Sequence, residues 1–125
     1  MFEIRLAELP RDTDECPVDR ALQVMEGRWA TLIVRELLGG TKRFGQLKTA
    51  LSGISPKTLA ERLRHLEACG IVTRRAYAEV PPRVEYQLTE RGLRLEPILL
   101  AMWAWGHDDL APGQPHPLTS MSTTD

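Results

Sequence analysis

Cysteine is scarce in this chain. Only Cys16 and Cys69 occur among 125 residues. They stand far apart without metal-ligand spacing, and so sparse a thiol content points to a reducing cytoplasm. Histidine is hardly commoner, and His65, His107 and His116 are scattered, so no metal site is indicated. No run of about 18 apolar residues occurs, which argues against a membrane-spanning helix. The opening stretch, MFEIRLAELPRDTDE, is acidic and has neither a basic start nor an apolar core, so no secretory signal is expected. A Gly-rich phosphate loop, a paired-carboxylate motif and a nucleophile signature are also missing. No enzyme and no cofactor are expected. A thiol enzyme built on Cys16 would need a histidine beside it and a pocket.

Net charge is nearly absent as well, at −1, but the charges are unevenly placed. Residues 1–41 hold five Lys/Arg against eight Asp/Glu, and residues 92–125 hold one against four. Between them, residues 42–91 hold ten against five, a net +5. A local basic surface attracts a polyanion even on a neutral chain.

Length allows one compact domain. Residues 1–15 show no sustained period and read as a loose arm. Cys16-Pro17 opens a helix whose apolar positions are Val18, Ala21, Leu22 and Met25, with Gly27 expected to close it. A second helix starts near Trp29, carries Leu32, Ile33 and Leu37, and stops at Gly39-Gly40. A shorter third carries Phe44, Leu47 and Leu51. The fourth has the clearest punctuation: Ser55 as N-cap, Pro56 in the first turn, Gly70 just past the end. Its buried stripe is Leu59, Leu63 and Leu66. With Leu59 at 0° and about 100° per residue, Arg64, Lys57 and Glu61 fall at about 140°, 160° and 200°. His65 and Thr58 follow at about 240° and 260°. The outward face is thus read as Lys57, Thr58, Glu61, Arg64 and His65, with Arg62 on its flank.

The period then shortens from about 3.6 to about 2. Ile71–Tyr77 and the alternation of Val84, Tyr86 and Leu88 with Arg83, Glu85 and Gln87 predict a two-stranded hairpin. Ala78-Glu79-Val80-Pro81-Pro82 forms its projecting loop, since two prolines cannot continue a ladder. Thr89 caps a last helix running to about His107, which Pro97 should kink or split. Residues 108–125 read as a flexible tail, and 16–107 as the domain.

Three helices, a capped basic helix and a hairpin make a mainly α fold with a small β-hairpin wing, the winged helix-turn-helix order. The fourth helix suits a major groove of double-stranded DNA. Lys57 and Arg64 fit phosphates or guanine, Ser55 and Thr58 phosphates or thymine methyls, and Arg83 on the wing reaches backbone or minor groove. A winged helix serving only as a protein-interaction module is the competing reading. The motifs sharpen this: Cys16-Pro17-Val18, Gly27-Arg28-Trp29, Arg35-Glu36-Leu37-Leu38, Arg43-Phe44, Gly53-Ile54-Ser55-Pro56-Lys57-Thr58-Leu59, Arg62-Leu63-Arg64, Val80-Pro81-Pro82-Arg83-Val84-Glu85-Tyr86 and Leu88-Thr89-Glu90. Over Cys16–Gly106 the chain resembles the HxlR-type regulators, a branch of the MarR-like winged-helix group. The resemblance implies transcription control, most simply repression, by a homodimer on a near-palindromic operator.

The dimer has separate support. The last helix carries Leu93, Leu95, Ile98, Leu99, Leu100, Met102, Trp103 and Trp105, too many for one stripe. One side is expected to face the domain core and the other a partner copy, through Ile98, Leu99, Met102 and Trp103. Trp103 and Trp105 are read as packing residues rather than the wall of a ligand pocket. In the resembling family the cysteine matching Cys16 often senses oxidants or electrophiles, which makes Cys16 the candidate sensor. The helix dipole favours a thiolate there, whereas Asp14, Glu15 and Asp19 disfavour it, and the sequence does not decide between them. Cys69 is read as inert packing.

Overall fold

The computed structural model describes residues 5–9 and 16–110. Most of the expected arm and the tail beyond residue 110 lie outside the described residues. Within 5–9 the chain makes a 3₁₀ turn, Leu6–Glu8. The chain divides into two compact units, Met1–Leu93 and Arg94–Asp125, a break that falls inside the span expected as one domain.

Helix α1 covers Pro17–Val24. Cys16 is its extended N-cap, and the Arg20 N–H donates to the Cys16 carbonyl at 3.1 Å to begin the ladder. Its apolar stripe is not buried: Val18 and Leu22 are exposed. Gly27 does not close this helix. It sits at φ +78°, a left-handed conformation that glycine adopts at little cost, and opens α2, Gly27–Leu38. The turn of α1 is completed instead at Met25, whose N–H reaches the Ala21 carbonyl.

Ala30, Ile33, Val34 and Leu37 recur at helical spacing along α2 and are all buried. After the Gly39-Gly40 turn comes a two-residue strand, β1 (Lys42–Arg43), then α3 (Phe44–Ala50). The Gln46 side chain accepts from the Arg43 N–H at 2.8 Å and satisfies one donor at the start of α3. Leu47, Leu51 and Ile54 join the core, as do Leu59, Leu63 and Leu66 of α4, Pro56–Ala68. Each fully buried aliphatic side chain contributes about 1.5–3 kcal/mol.

The sheet has three strands, not the two expected. Strand β3 (Arg83–Leu88) lies between β1 and β2 (Val72–Tyr77), antiparallel to both. A strand as short as β1 shows no period, and it exists because Lys42 and Arg43 pair with Tyr86 and Glu85. Helix α2 packs on β3 and α4 on β2. Only the base of the hairpin is buried, at Val72, Tyr86 and Leu88. From Thr73 to Ala76 every residue of β2 is exposed, so the hairpin projects as a wing.

The final helical stretch is split in two near Pro97, into α5 (Glu90–Leu93) and α6 (Glu96–Asp109), with Pro97 in the first turn of α6. Thr89 caps α5 as expected, accepting from the Gly92 N–H at 3.1 Å and donating to the Gly70 carbonyl at 2.6 Å. Gly92 is buried against the sheet, and a methyl group there would overlap the Ile71 carbonyl oxygen. No residue of α6 is buried. This fold is a winged helix-turn-helix, mainly α with a small antiparallel sheet.

Candidate nucleic-acid interface

Helix α4 is fixed at both ends. The Ser55 Oγ accepts from the Thr58 N–H at 3.1 Å and donates to the Thr58 Oγ1 at 2.9 Å. Such a cap stabilises the helix by about 0.5–2 kcal/mol. At the other end Gly70 takes φ +74°, the Ile71 N–H donates to the Leu66 carbonyl at 2.9 Å and the Gly70 N–H to the Glu67 carbonyl at 3.0 Å. This paired closure satisfies carbonyls that the helix leaves open. Arg91 adds a guanidinium bond to the Cys69 carbonyl at 3.1 Å, placing positive charge at the negative end of the helix dipole.

Between these ends α4 has three sectors rather than two. The core stripe is as expected. The outer row is Lys57, Glu61 and Arg64, all exposed, with Ala68 after them. The third sector holds Arg62, His65 and Cys69, which are all part-buried. The His65 Nε2 lies 3.0 Å from the Gln23 carbonyl oxygen at the end of α1 and 3.8 Å from the Cys69 Sγ. The Arg62 guanidinium lies beside Gly27 at the start of α2, and its buried Nε has no hydrogen-bond partner among the described residues. Arg62 and His65 are therefore turned from the outer row that the helical wheel assigned to His65. The wheel separates core from non-core but does not register that α1 and the start of α2 cover one flank. Thr58 is half-buried in the same sector, and the Ser55 hydroxyl is engaged in capping.

Arg83 also differs from expectation. Its guanidinium carbon sits 3.9 Å from the centre of the Tyr77 ring, across the strand pair. It pairs with Glu79 at 3.2 Å and approaches Glu85 at 3.9 Å. The side chain is held within the wing by a cation–π contact and two carboxylates. Other cations on this surface were not singled out from sequence. Arg74 and Arg75 of β2 are exposed, as are Arg43 and Lys48. The adjacent arginines lie inside the +5 block and were its strongest overlooked signal.

Cys16 and Cys69 are both free and half-buried. Helix α1 alone places about 10 Å between Cys16 and Gln23, beside which the Cys69–His65 pair lies. On α6, Ile98 and Met102 share an apolar groove with Pro97, Ala101 and Trp105. Trp103 stacks on His107, with ring centres 4.8 Å apart and planes 13° from parallel. Ile98, Met102 and Trp103 are exposed and Leu99 is half-exposed. Among the described residues no helix is long and apolar enough to cross a membrane.

Residues 24–114 match the family described as HxlR-like helix-turn-helix. The HTH-type transcriptional regulator sll1512 of Synechocystis is 48% identical over 93 residues, covering 74% of this chain and 69% of that protein. Among solved structures, the redox regulator HypR in its reduced form aligns with a TM-score of 0.72 at 42% identity, covering 75% of this chain and 93% of HypR. The reduced form of the transcriptional regulator YodB from Bacillus subtilis aligns with a TM-score of 0.71 at 39% identity, covering 80% and 99%.

Proposed function

The chain belongs to the HxlR-like helix-turn-helix family of transcriptional regulators, and we propose that it represses transcription as a homodimer on a near-palindromic operator. Its kin are DNA-binding regulators rather than enzymes. The observation that carries the proposal is the outer row of α4. A helix capped at both ends presents two cations and a carboxylate to solvent, unpaired among the described residues, next to a projecting wing with exposed arginines. A helix of this length enters a major groove with its first turns against base edges, while flanking cations hold phosphates. Lys57, Glu61 and Arg64 face the bases or the adjoining backbone. Arg74 and Arg75 take the backbone contacts first assigned to Arg83. Thr58 and the amides at the start of α4 bind phosphate, with Ser55 fixing their geometry.

The exposed apolar surface of α6 supports the homodimer, through Ile98, Leu99, Met102 and Trp103. Two copies related by a two-fold axis set their reading helices about 34 Å apart, in successive major grooves. Cys16 is the proposed sensor of an oxidant or electrophile in the cytoplasm. It is a half-exposed free thiol at the start of α1, and similarity to a redox regulator supports the assignment. It lies ahead of the residues the family match covers.

Mobility-shift titration of the full chain against the DNA flanking its own gene, and against a selected random duplex pool, tests the proposal. Salt-sensitive binding to a site with two-fold symmetry is the expected result. Failure to bind either DNA overturns it.

A further inference from the structure

Glu61 carries the wrong sign of charge for a surface that binds a polyanion. It lies four residues after Lys57 and three before Arg64 on the exposed side of α4, a spacing at which opposite charges ordinarily pair. Neither cation comes within 4.0 Å of it, and among the described residues no hydrogen bond engages its carboxylate. The group is neither neutralised by its neighbours nor used to hold the fold. Its position is central, sixth of the 13 residues of α4, with a cation about one turn away on either side.

A bare carboxylate laid among phosphates is repelled, so it suits a major-groove helix where a donor meets it. The amino N4 of cytosine is such a donor. Adenine also offers an amino group, but beside N7, an acceptor that repels a carboxylate. We propose that Glu61 is a specificity-determining residue that accepts a hydrogen bond from cytosine N4, so that each bound α4 requires a C·G pair at one fixed position. The row then divides its work: Lys57 and Arg64 hold the backbone or a guanine, and Glu61 selects against the other base pairs. This rests on α4 being the major-groove helix.

The test compares the full-length chain with Glu61→Gln and Glu61→Ala by selection from a random duplex pool. Fluorescence anisotropy on duplexes changed at single positions then measures the preference. Circular dichroism checks that both variants are folded, which the exposure of Glu61 favours. The wild type is expected to prefer C·G at one position of the site by roughly tenfold. Glu61→Ala should abolish that preference while leaving the rest of the site unchanged. Glu61→Gln should move it toward A·T, because an amide both donates and accepts along the adenine edge. Two results overturn the inference while leaving α4 as the reading helix: unchanged base preferences in both variants, or an equal gain in affinity for every duplex. The latter marks Glu61 as repulsive only. Absence of any selected site for the wild type overturns the major-groove reading itself, and this inference with it.

Discussion

The imidazole Nε2 of His65 lies 3.0 Å from the carbonyl oxygen of Gln23, joining the flank of α4 to the last turn of α1. That carbonyl is among those a helix leaves without an internal partner, so the imidazole completes the C-terminal end of α1. The contact explains why a histidine that a helical wheel turns outward is part-buried.

Replacing His65 by alanine should therefore cost stability more than DNA affinity. The loss expected for one hydrogen bond with a neutral partner is about 0.5–1.5 kcal/mol. Urea denaturation of the two proteins measures it. A tenfold or greater fall in operator affinity with unchanged stability would return His65 to the DNA-facing row.

Ser55→Ala removes the oxygen that accepts from the Thr58 N–H. Stability should drop by about 0.5–2 kcal/mol, whereas Ser55→Gly should cost only about a few tenths of a kcal/mol. Thermal unfolding followed by circular dichroism distinguishes the two variants. An unchanged stability in Ser55→Ala would show that the side-chain cap contributes nothing.

The cations of the surface should separate by salt dependence. Lys57→Ala, Arg64→Ala and Arg75→Ala should each reduce the slope of log affinity against log salt by about 1 if each neutralises one phosphate. Arg83→Ala should leave that slope unchanged, because its guanidinium is held by Tyr77, Glu79 and Glu85. Anisotropy titrations over a range of salt provide the slopes. A reduced slope for Arg83→Ala would show that the arginine leaves these partners to meet DNA.

Cys16→Ser should preserve basal DNA binding and abolish any loss of binding caused by a thiol oxidant or electrophile. Cys69→Ser should retain the response, since Cys69 lies against His65 beside the last turn of α1, whereas Cys16 caps its first. Mobility shifts before and after treatment, with mass spectrometry of the modified thiol, read both variants. An unchanged response in Cys16→Ser rejects it as sensor.

Much of the fold was legible along the chain because its signals are local. Ser55, Pro56 and Gly70 mark α4 through backbone geometry that needs only neighbouring residues, and Leu59, Leu63 and Leu66 report its buried side. The alternation in residues 83–88 and the two prolines before it mark the wing in the same way. Strand β1 escaped because two residues carry no period. Its partners Tyr86 and Glu85 lie more than 40 positions away.

The sequence by itself determined the order of the helices and the wing, the limits of α4 and the placement of positive charge in residues 42–91, since propensity, capping and charge are properties of short stretches. Tertiary structure alone decided which side chains remain free to meet DNA. It turned His65 toward Gln23 and Arg62 toward Gly27, folded Arg83 over Tyr77, and left Lys57, Glu61 and Arg64 as the exposed row. A long polar side chain settles on whatever partner the packing of distant segments brings within reach, and no local pattern encodes that choice.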